Sequence, residues 1–518
     1  MDRTSVFIWI GLLFSIAGTL LSFSWNSIFD LIAKKELPIS PTSKTYPLWK
    51  KSTVTMNFYL FNWTNHDQLF ENNYTPEFVE LGPYSYTEVY EKVNLTWNAN
   101  HTVTYQRIRK WYFDAENSNG SLDDTVVMLN IVPVSSSFFT RNWSFISIYA
   151  LSAAMRMLGE SIWVRRTVRE ILFDGYDDPL LKIAQTAPSL FGTDVQGDKV
   201  AWFFNRNGSA RSDGVLNAET ASEDMKNLGI IRSWNYKDKS DFFDGECSKV
   251  AGSVGDIFPP VQMKEDQLEM FVPDFCRSLK LDYSEEVEVR GIPAYRYEAS
   301  QALIDNGTVD STNHCNCRGE CLPLGVFNIS ACRYGIPAFI SYPHFYKADK
   351  HYLRQLKGLE PVPKRHRFYI TLEPRTGILL DLKARVQINF LLQRNTRINL
   401  FRNVPTILFP VLWFEELGSI PPSEAFLLRL LLLLPVVGQY ISFGLTLIGL
   451  VIISAAILPM FLNKYSGSLH HCLKRKSSET IISQTSLPIG RFRPPPSEGK
   501  DGAIPPEEHG LLDTKIDN

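Results

Sequence analysis

The chain has 518 residues, with 53 Lys+Arg against 55 Asp+Glu, and a formal net charge of −2. A hydrophobic share of 44% excludes a disordered or collagen-like chain. Near-neutrality argues against a nucleic-acid binder, which needs a concentrated basic surface to displace counterions.

From the N-terminus, residues 1–5 form a short polar start, and residues 6–23 carry no charge. Such a run sits at the lower limit for crossing a ~30 Å hydrocarbon core as a helix. A cleaved secretory signal is the rival, with Ser22-Phe23-Ser24 as a cutting site. Its apolar region usually spans only ~7–15 residues, so a retained transmembrane helix over 6–25 is predicted.

Residues 26–435 hold no long Gly/Ser or Pro-rich linker and no solenoid-length repeat, which predicts one large ectodomain. Residues 53–60, 126–129 and 367–372 alternate and are rich in β-branched or aromatic side chains, the pattern of strands. Between them, Phe145, Ile148, Leu151, Met155, Leu158 and Ile162 recur at helical spacing. A helix over 145–162 follows, then a second over 164–173 and a third near Asp178-Pro179, giving a helical region at about 144–190 on a β-rich (α+β) body. Arg156, Arg165, Arg166 and Arg169 give this region a basic accent, either an anion-attracting surface or an ordinary solvated face.

Nine Asn-x-Ser/Thr sequons stand at Asn62, Asn73, Asn94, Asn100, Asn119, Asn142, Asn207, Asn306 and Asn328. All fall between the two apolar ends, which places this segment on a glycosylated lumenal or extracellular face. Cys247, Cys276, Cys315, Cys317, Cys321 and Cys332 cluster in the same segment, and six cysteines in an oxidising compartment read as three disulfides with fifteen possible pairings.

Residues 425–460 form a second apolar run with one charge, Arg429, poised to snorkel toward headgroups. A span over 436–459 is predicted. Lys464, Lys474, Arg475 and Lys476 follow it, as expected of a cytoplasmic flank. Both termini are therefore expected in the cytosol. The tail over 460–518, with six Pro and mixed charge, reads as disordered. Within it, Cys472 is a juxtamembrane thiol, either palmitoylated or idle. Glu507 stands four residues before Leu511-Leu512, the acidic dileucine form that endocytic adaptors bind.

Catalytic signatures are missing: no zinc-protease helix motif, phosphate-cradling loop, nucleophile elbow or dinucleotide fingerprint occurs. No enzyme activity and no cofactor are expected. The one metal-like string, His314-Cys315-Asn316-Cys317-Arg318-Gly319-Glu320-Cys321, resembles a zinc loop, but oxidation to disulfides removes the thiolates that zinc requires.

Several strings are shared, in order and spacing, with a known family. They are Leu81-Gly82-Pro83-Tyr84-Ser85-Tyr86; Arg166-Thr167-Val168-Arg169-Glu170-Ile171-Leu172 with Gly175-Tyr176; Asp274-Phe275-Cys276-Arg277-Ser278; and Gly325-Val326-Phe327-Asn328-Ile329-Ser330-Ala331-Cys332, running into Ser341-Tyr342-Pro343-His344-Phe345-Tyr346. Cys247 with Phe258-Pro259-Pro260, and Glu373-Pro374-Arg375-Thr376-Gly377, complete the set. Over residues 1 to about 462 the chain resembles the CD36 family of class B scavenger receptors.

That resemblance implies an antiparallel β-barrel-like ectodomain with an internal apolar tunnel, capped by an apical helical bundle. It implies disulfides Cys247–Cys315, Cys276–Cys332 and Cys317–Cys321. It makes the helix of Phe145, Ile148, Leu151, Met155, Arg156, Leu158 and Ile162 a ligand-binding apex. Residues 144–163 contain no Lys and only Arg156 as a cation, which turns the expectation from fatty acids toward a neutral lipid such as a carotenoid or sterol. The expected role is a receptor at the plasma membrane, with an endosomal or lysosomal pool, that binds lipid or lipoprotein and passes hydrophobic cargo to the bilayer. An endolysosomal trafficking receptor for a protein cargo, or a phagocytic scavenger receptor for microbes or apoptotic cells, are the alternatives; a two-span channel lacks polar lining beyond Arg429, Gln439 and Ser442.

Overall fold

The computed structural model describes residues 2–186, 197–261 and 263–479, with side chains described to residue 465. The chain divides into two compact units, Leu20–Ser442 and the paired terminal segments Met1–Thr19 and Phe443–Asn518.

Among the described residues, two helices are long and apolar enough to cross a bilayer. The first, α1 (Arg3–Glu36), outlasts the predicted 6–25 and stops just ahead of Pro38, where a proline disfavours further helix. In the terminal unit it meets the C-terminal helix through small residues. Ser15 Oγ donates to the Thr446 carbonyl at 3.4 Å, and a Cβ on Gly449 would stand 2.5 Å from the Gly11 carbonyl. Close backbone approach of this kind is how helices associate where lipid leaves no hydrophobic drive between them. The C-terminal helix runs from Pro422 to Glu479. It therefore passes well beyond the predicted boundary at 459, into residues expected to be disordered. All six tail prolines lie after residue 487, so none interrupts residues 460–479, where Leu462, Leu469, Leu473, Lys474, Arg475 and Lys476 tolerate helix well.

In the larger unit a 13-stranded sheet carries the fold. Its strands are β1 (Lys51–Trp63), β2 (Phe78–Trp97) and β3 (Thr102–Phe113); a separate pair, β4 (Thr125–Leu129) and β5 (Trp163–Thr167), lies outside it. The sheet continues with β6 (Val215–Glu219), β7 (Ile231–Trp234), β8 (Leu268–Val272), β9 (Arg277–Val289), β10 (Ile292–Glu298), β11 (Phe327–Asn328), β12 (Ala338–Ser341), β13 (Tyr369–Leu372), β14 (Leu379–Leu392) and β15 (Ile407–Ser419). The order is β7-β6-β3-β2-β1-β15-β14-β13-β10-β9-β8, and every strand pair is antiparallel.

The two ends of that order are stitched together by one short segment. Ile231 N–H donates to the Gly252 carbonyl at 2.8 Å, while Phe271 N–H donates to the Ser253 carbonyl at 2.6 Å. Gly252 has φ +81°, and a Cβ there would stand on the Glu269 backbone, so only glycine lets the strands approach. The sheet is thus a nearly closed barrel, which removes exposed edges and creates an inside.

At one barrel end β14 begins beside Ala425 and Leu428, which share a core cluster with Leu380. At the other end it runs into the helices. There α2 (Ile131–Phe139), α3 (Phe145–Met157) and α4 (Pro179–Thr186) form the cap. Ser144 caps the N-terminus of α3 by accepting the Ser147 N–H. Its C-terminus closes at Gly159 (φ +70°), with Glu160 N–H to the Met155 carbonyl at 2.9 Å and Gly159 N–H to the Arg156 carbonyl at 3.2 Å. This left-handed glycine cap ends the helix at Met157, short of the predicted Ile162. The predicted helix over 164–173 is instead β5 followed by a π-helical turn, Glu170–Asp174. Trp163, Val164 and Thr167 are strand formers, and pairing with β4 overrides the helical periodicity.

Candidate ligand cavity

The residues beneath the cap leave space. A cavity of about 620 Å³ lies against α2, α4, the segment from residue 197 to 212 and the ends of β14 and β15. Its walls are mostly apolar, with Met128, Ile131, Leu180, Trp202, Phe390 and Leu412 among them. Helix α2 contributes one side because Ile131 and Val132 turn inward toward this space while Pro133 and Val134 are buried. Lys199, Arg211 and Tyr334 line the cavity and are exposed, so they mark its mouth. Arg206 and Arg333 lie at its inner wall, where their side chains keep only 14% and 25% of their accessible surface. Four cations therefore face this space, and no carboxylate is among its described lining residues.

Behind that wall, inside the barrel, is a second space of about 90 Å³. It shares Trp202, Arg206 and Arg333 with the first and is otherwise lined by residues such as Met56, Phe275, Val386 and Phe414. The dividing wall is charged. Asp274 Oδ1 accepts from Arg206 Nη2 at 2.5 Å and from Arg333 Nη2 at 2.9 Å, and Oδ2 accepts from Arg109 Nη1 at 2.7 Å. Arg109 Nε also donates to Glu88 at 2.6 Å. Burial alone would raise the Asp274 carboxyl, but Arg206, Arg109 and Arg333 together hold it well below the usual carboxylate range. Nearby Glu416 goes the other way: burial, then the charge of Glu88, pushes it up to about 7.

The seven residues of the predicted apex lie elsewhere. Ile148, Leu151, Met155 and Ile162 are buried in the main core and Leu158 is half-buried, because the periodic face of α3 packs inward. Phe145 and Arg156 are exposed. None of the seven is among the described residues lining the cavity. What the helix offers to solvent is the opposite edge, Phe145, Ile146, Tyr149 and Met157, of which Ile146 and Met157 are 80% and 83% exposed. Of the Arg accent, Arg169 meets Asp123 at 2.9 Å and Arg166 lies over the Tyr176 ring, while Arg156 and Arg165 are exposed.

Disulfides join Cys247 to Cys315, Cys276 to Cys332 and Cys317 to Cys321. His314 comes within 4.8 Å of the Cys317 and Cys321 sulfurs, but a disulfide offers zinc no thiolate. Among the sequons, Asn73, Asn94, Asn100, Asn119, Asn142 and Asn207 are exposed, Asn62 and Asn306 half-buried and Asn328 buried. Arg429 is exposed and its guanidinium crowds Gly291 in the turn between β9 and β10. The Cys472 side chain, Glu507, Leu511 and Leu512 lie outside the described residues.

Arg206 and Arg333 were not singled out by sequence, and Asp274 appeared there only as part of a string shared with the family. The available signal was position: Arg333 follows Cys332 and Asp274 stands two residues before Cys276, so the Cys276–Cys332 bridge holds both together.

Comparison with known proteins agrees with this architecture. The CD36 family model matches residues 9–460. Protein peste of Drosophila melanogaster is 34% identical over 451 residues, covering 85% of this chain and 79% of that protein. Scavenger receptor class B member 1 of Mus musculus is 32% identical over 444 residues, 84% of this chain and 86% of its own length. Lysosome membrane protein 2 of Homo sapiens is 28% identical over 420 residues, 80% and 85% of the two chains. With its two terminal apolar helices, its nearly closed barrel and its helical cap, this chain belongs to the CD36 family.

Proposed function

We propose that this protein is a class B scavenger receptor-like membrane receptor that takes an amphiphilic lipid into the larger cavity and hands it toward the bilayer. The observation that carries the reading is the cavity itself: about 620 Å³, within the usual ~300–1,000 Å³ of ligand sites, walled by apolar side chains. A lipid with ~16 methylenes faces roughly 13 kcal/mol of hydration cost outside a shield, at ~0.8 kcal/mol per CH₂. A covered apolar path removes most of it and needs no nucleotide, so transfer runs down the lipid's own gradient.

The cavity also revises the expected cargo. The missing lysines of residues 144–163 favoured a neutral lipid, but Lys199, Arg206, Arg211 and Arg333 supply cations from other segments. A single apolar tail with an anionic head matches an apolar space with cations at both ends and no described carboxylate. The exposed Phe145, Ile146, Tyr149 and Met157 would meet the lipid or lipoprotein particle that delivers it. Uptake of labelled palmitate by cells expressing the protein tests this. Ala201→Trp, which fills the cavity, should bring uptake down to that of cells lacking the protein; undiminished uptake would refute the reading.

A second reading, an endolysosomal trafficking receptor, is favoured by the likeness to lysosome membrane protein 2 and by Glu507 with Leu511-Leu512. Replacing both leucines with Ala should move the protein to the surface; an unchanged endolysosomal pool would remove this support.

A further inference from the structure

The wall between the two cavities is a strange barrier for an apolar path: three guanidiniums converge on one carboxylate, Asp274. Glu88 offsets Arg109, and the buried Asp213 lies 3.6 Å from Arg206, so Arg333 is the guanidinium whose ion pairing rests on Asp274 alone. Arg333 has a further donor to give, since its buried Nε–H has no acceptor. Both arginines line the large cavity on one side and the small one on the other, whereas Asp274 lines only the small one.

The two halves of the wall are also anchored differently. Asp274 and Arg333 flank the Cys276–Cys332 disulfide, and Arg333 Nη2 additionally holds the Asp274 carbonyl at 2.6 Å. Arg206 sits in a run of turns with no disulfide, on the same segment as Trp202, the aromatic common to both cavities. One half is stapled and the other is held by its ion pairs.

From this we infer that the wall is a cargo-selective gate, in which an anionic head entering from the large cavity takes Arg206 and Arg333 from Asp274 and so releases the Trp202–Arg206 segment. The exchange is nearly balanced for an anion, because each guanidinium trades one carboxylate for another. An uncharged head cannot make that trade: parting the cluster would leave Arg333 without a carboxylate, Arg206 with only the longer Asp213 contact and Asp274 with Arg109 alone, in a poorly hydrated space. The gate therefore sorts cargo by head charge, while the apolar walls accept any tail of suitable size. This rests on the conduit reading above and adds to it which lipids pass.

The test uses the full-length protein in proteoliposomes and two probes with the same tail, palmitate and hexadecanol, each also made with a photoreactive diazirine in the chain. Occupancy of the large cavity is read by crosslinking, and passage by arrival of the label in the bilayer. Wild type should hold both probes but pass palmitate about tenfold faster than hexadecanol, the ratio that ~1.4 kcal/mol of barrier difference gives. Arg206→Gln with Arg333→Gln should level the two, and Arg333→Lys, which keeps a cation, should retain the preference. Equal passage of both probes through the wild type, or a preference that survives the double substitution in protein of unchanged thermal midpoint, overturns the gate. Absence of either probe from the cavity would instead overturn the conduit reading on which it stands.

Discussion

Two buried polar clusters stand in the same barrel, and only one faces a cavity. Around Glu80, Trp413 Nε1–H donates at 2.8 Å and His344 Nε2 at 2.6 Å, while Arg365 holds the other oxygen. His344 Nδ1 accepts the Glu360 N–H at 3.0 Å, so its proton is on Nε2. Tyr59 stacks on Trp413 at 3.9 Å and His366 on His344 at 4.4 Å, and none of these residues lines either cavity. Burial would raise the Glu80 carboxyl, yet its hydrogen bonds bring it down to about 2. The Asp274 cluster has similar chemistry but open space on both sides and a donor left over. A buried ion cluster walled in by aromatics has no other partner to turn to; beside a void, the exchange proposed above has room to occur.

That contrast can be broken from either side. The largest effect is expected from Glu80→Ala, which strands the buried His344 and Trp413 donors (Arg365 is exposed and turns to water) and should cost about 2–4 kcal/mol, read as a lower thermal unfolding midpoint that palmitate does not restore. A midpoint change no larger than for a surface residue would show that those donors are not stranded.

Next is pH. An unfolded imidazole binds its proton below about 6.5. Burial, followed by the nearby His344, lowers folded His366 to about 3. Between those values the unfolded chain holds more protons, so stability falls as pH falls, by about 2 kcal/mol at pH 5. Comparing thermal midpoints at pH 7.4 and pH 5, His366→Gln should shrink the gap; an unchanged gap assigns the acid sensitivity elsewhere.

Asp274→Asn should cost less, about 1–2 kcal/mol, because the Asn amide oxygen still accepts from a guanidinium while Arg109 keeps Glu88 and Arg206 keeps Asp213. Palmitate should recover that loss and hexadecanol should not, in thermal-shift measurements; equal recovery by both would erase the distinction between the clusters. Smallest is Ser144→Ala, the loss of the α3 cap at about 1 kcal/mol, with the palmitate response intact.

How much of this was visible in the sequence follows from range. Periodicity is local, so the strands at 53–60, 126–129 and 367–372 and the helix starting at Phe145 could be read directly. The same periodicity says only which face packs, and in α3 that face is core; the ligand-binding role of its seven residues came from the family resemblance, not from their spacing. Periodicity failed at residues 164–173, where pairing with β4, a partner far along the chain, decided the conformation. The cavity cations come from two separate segments, Lys199–Arg211 and Arg333, which only the closed barrel brings to one cavity. Six cysteines could be counted, but spacing left fifteen pairings open, and the fold selects among them by bringing sulfurs within reach.

In the proposed conduit, cargo enters the space beneath the cap with its head toward Arg206 and Arg333. Photocrosslinking with the diazirine palmitate on the full-length protein, mapped by mass spectrometry, tests it most directly. Adducts on Trp202, Phe390 and Leu412, lost on palmitate competition, are the expected result. Adducts confined to the exposed edge of α3, at Phe145, Ile146 and Met157, would contradict it.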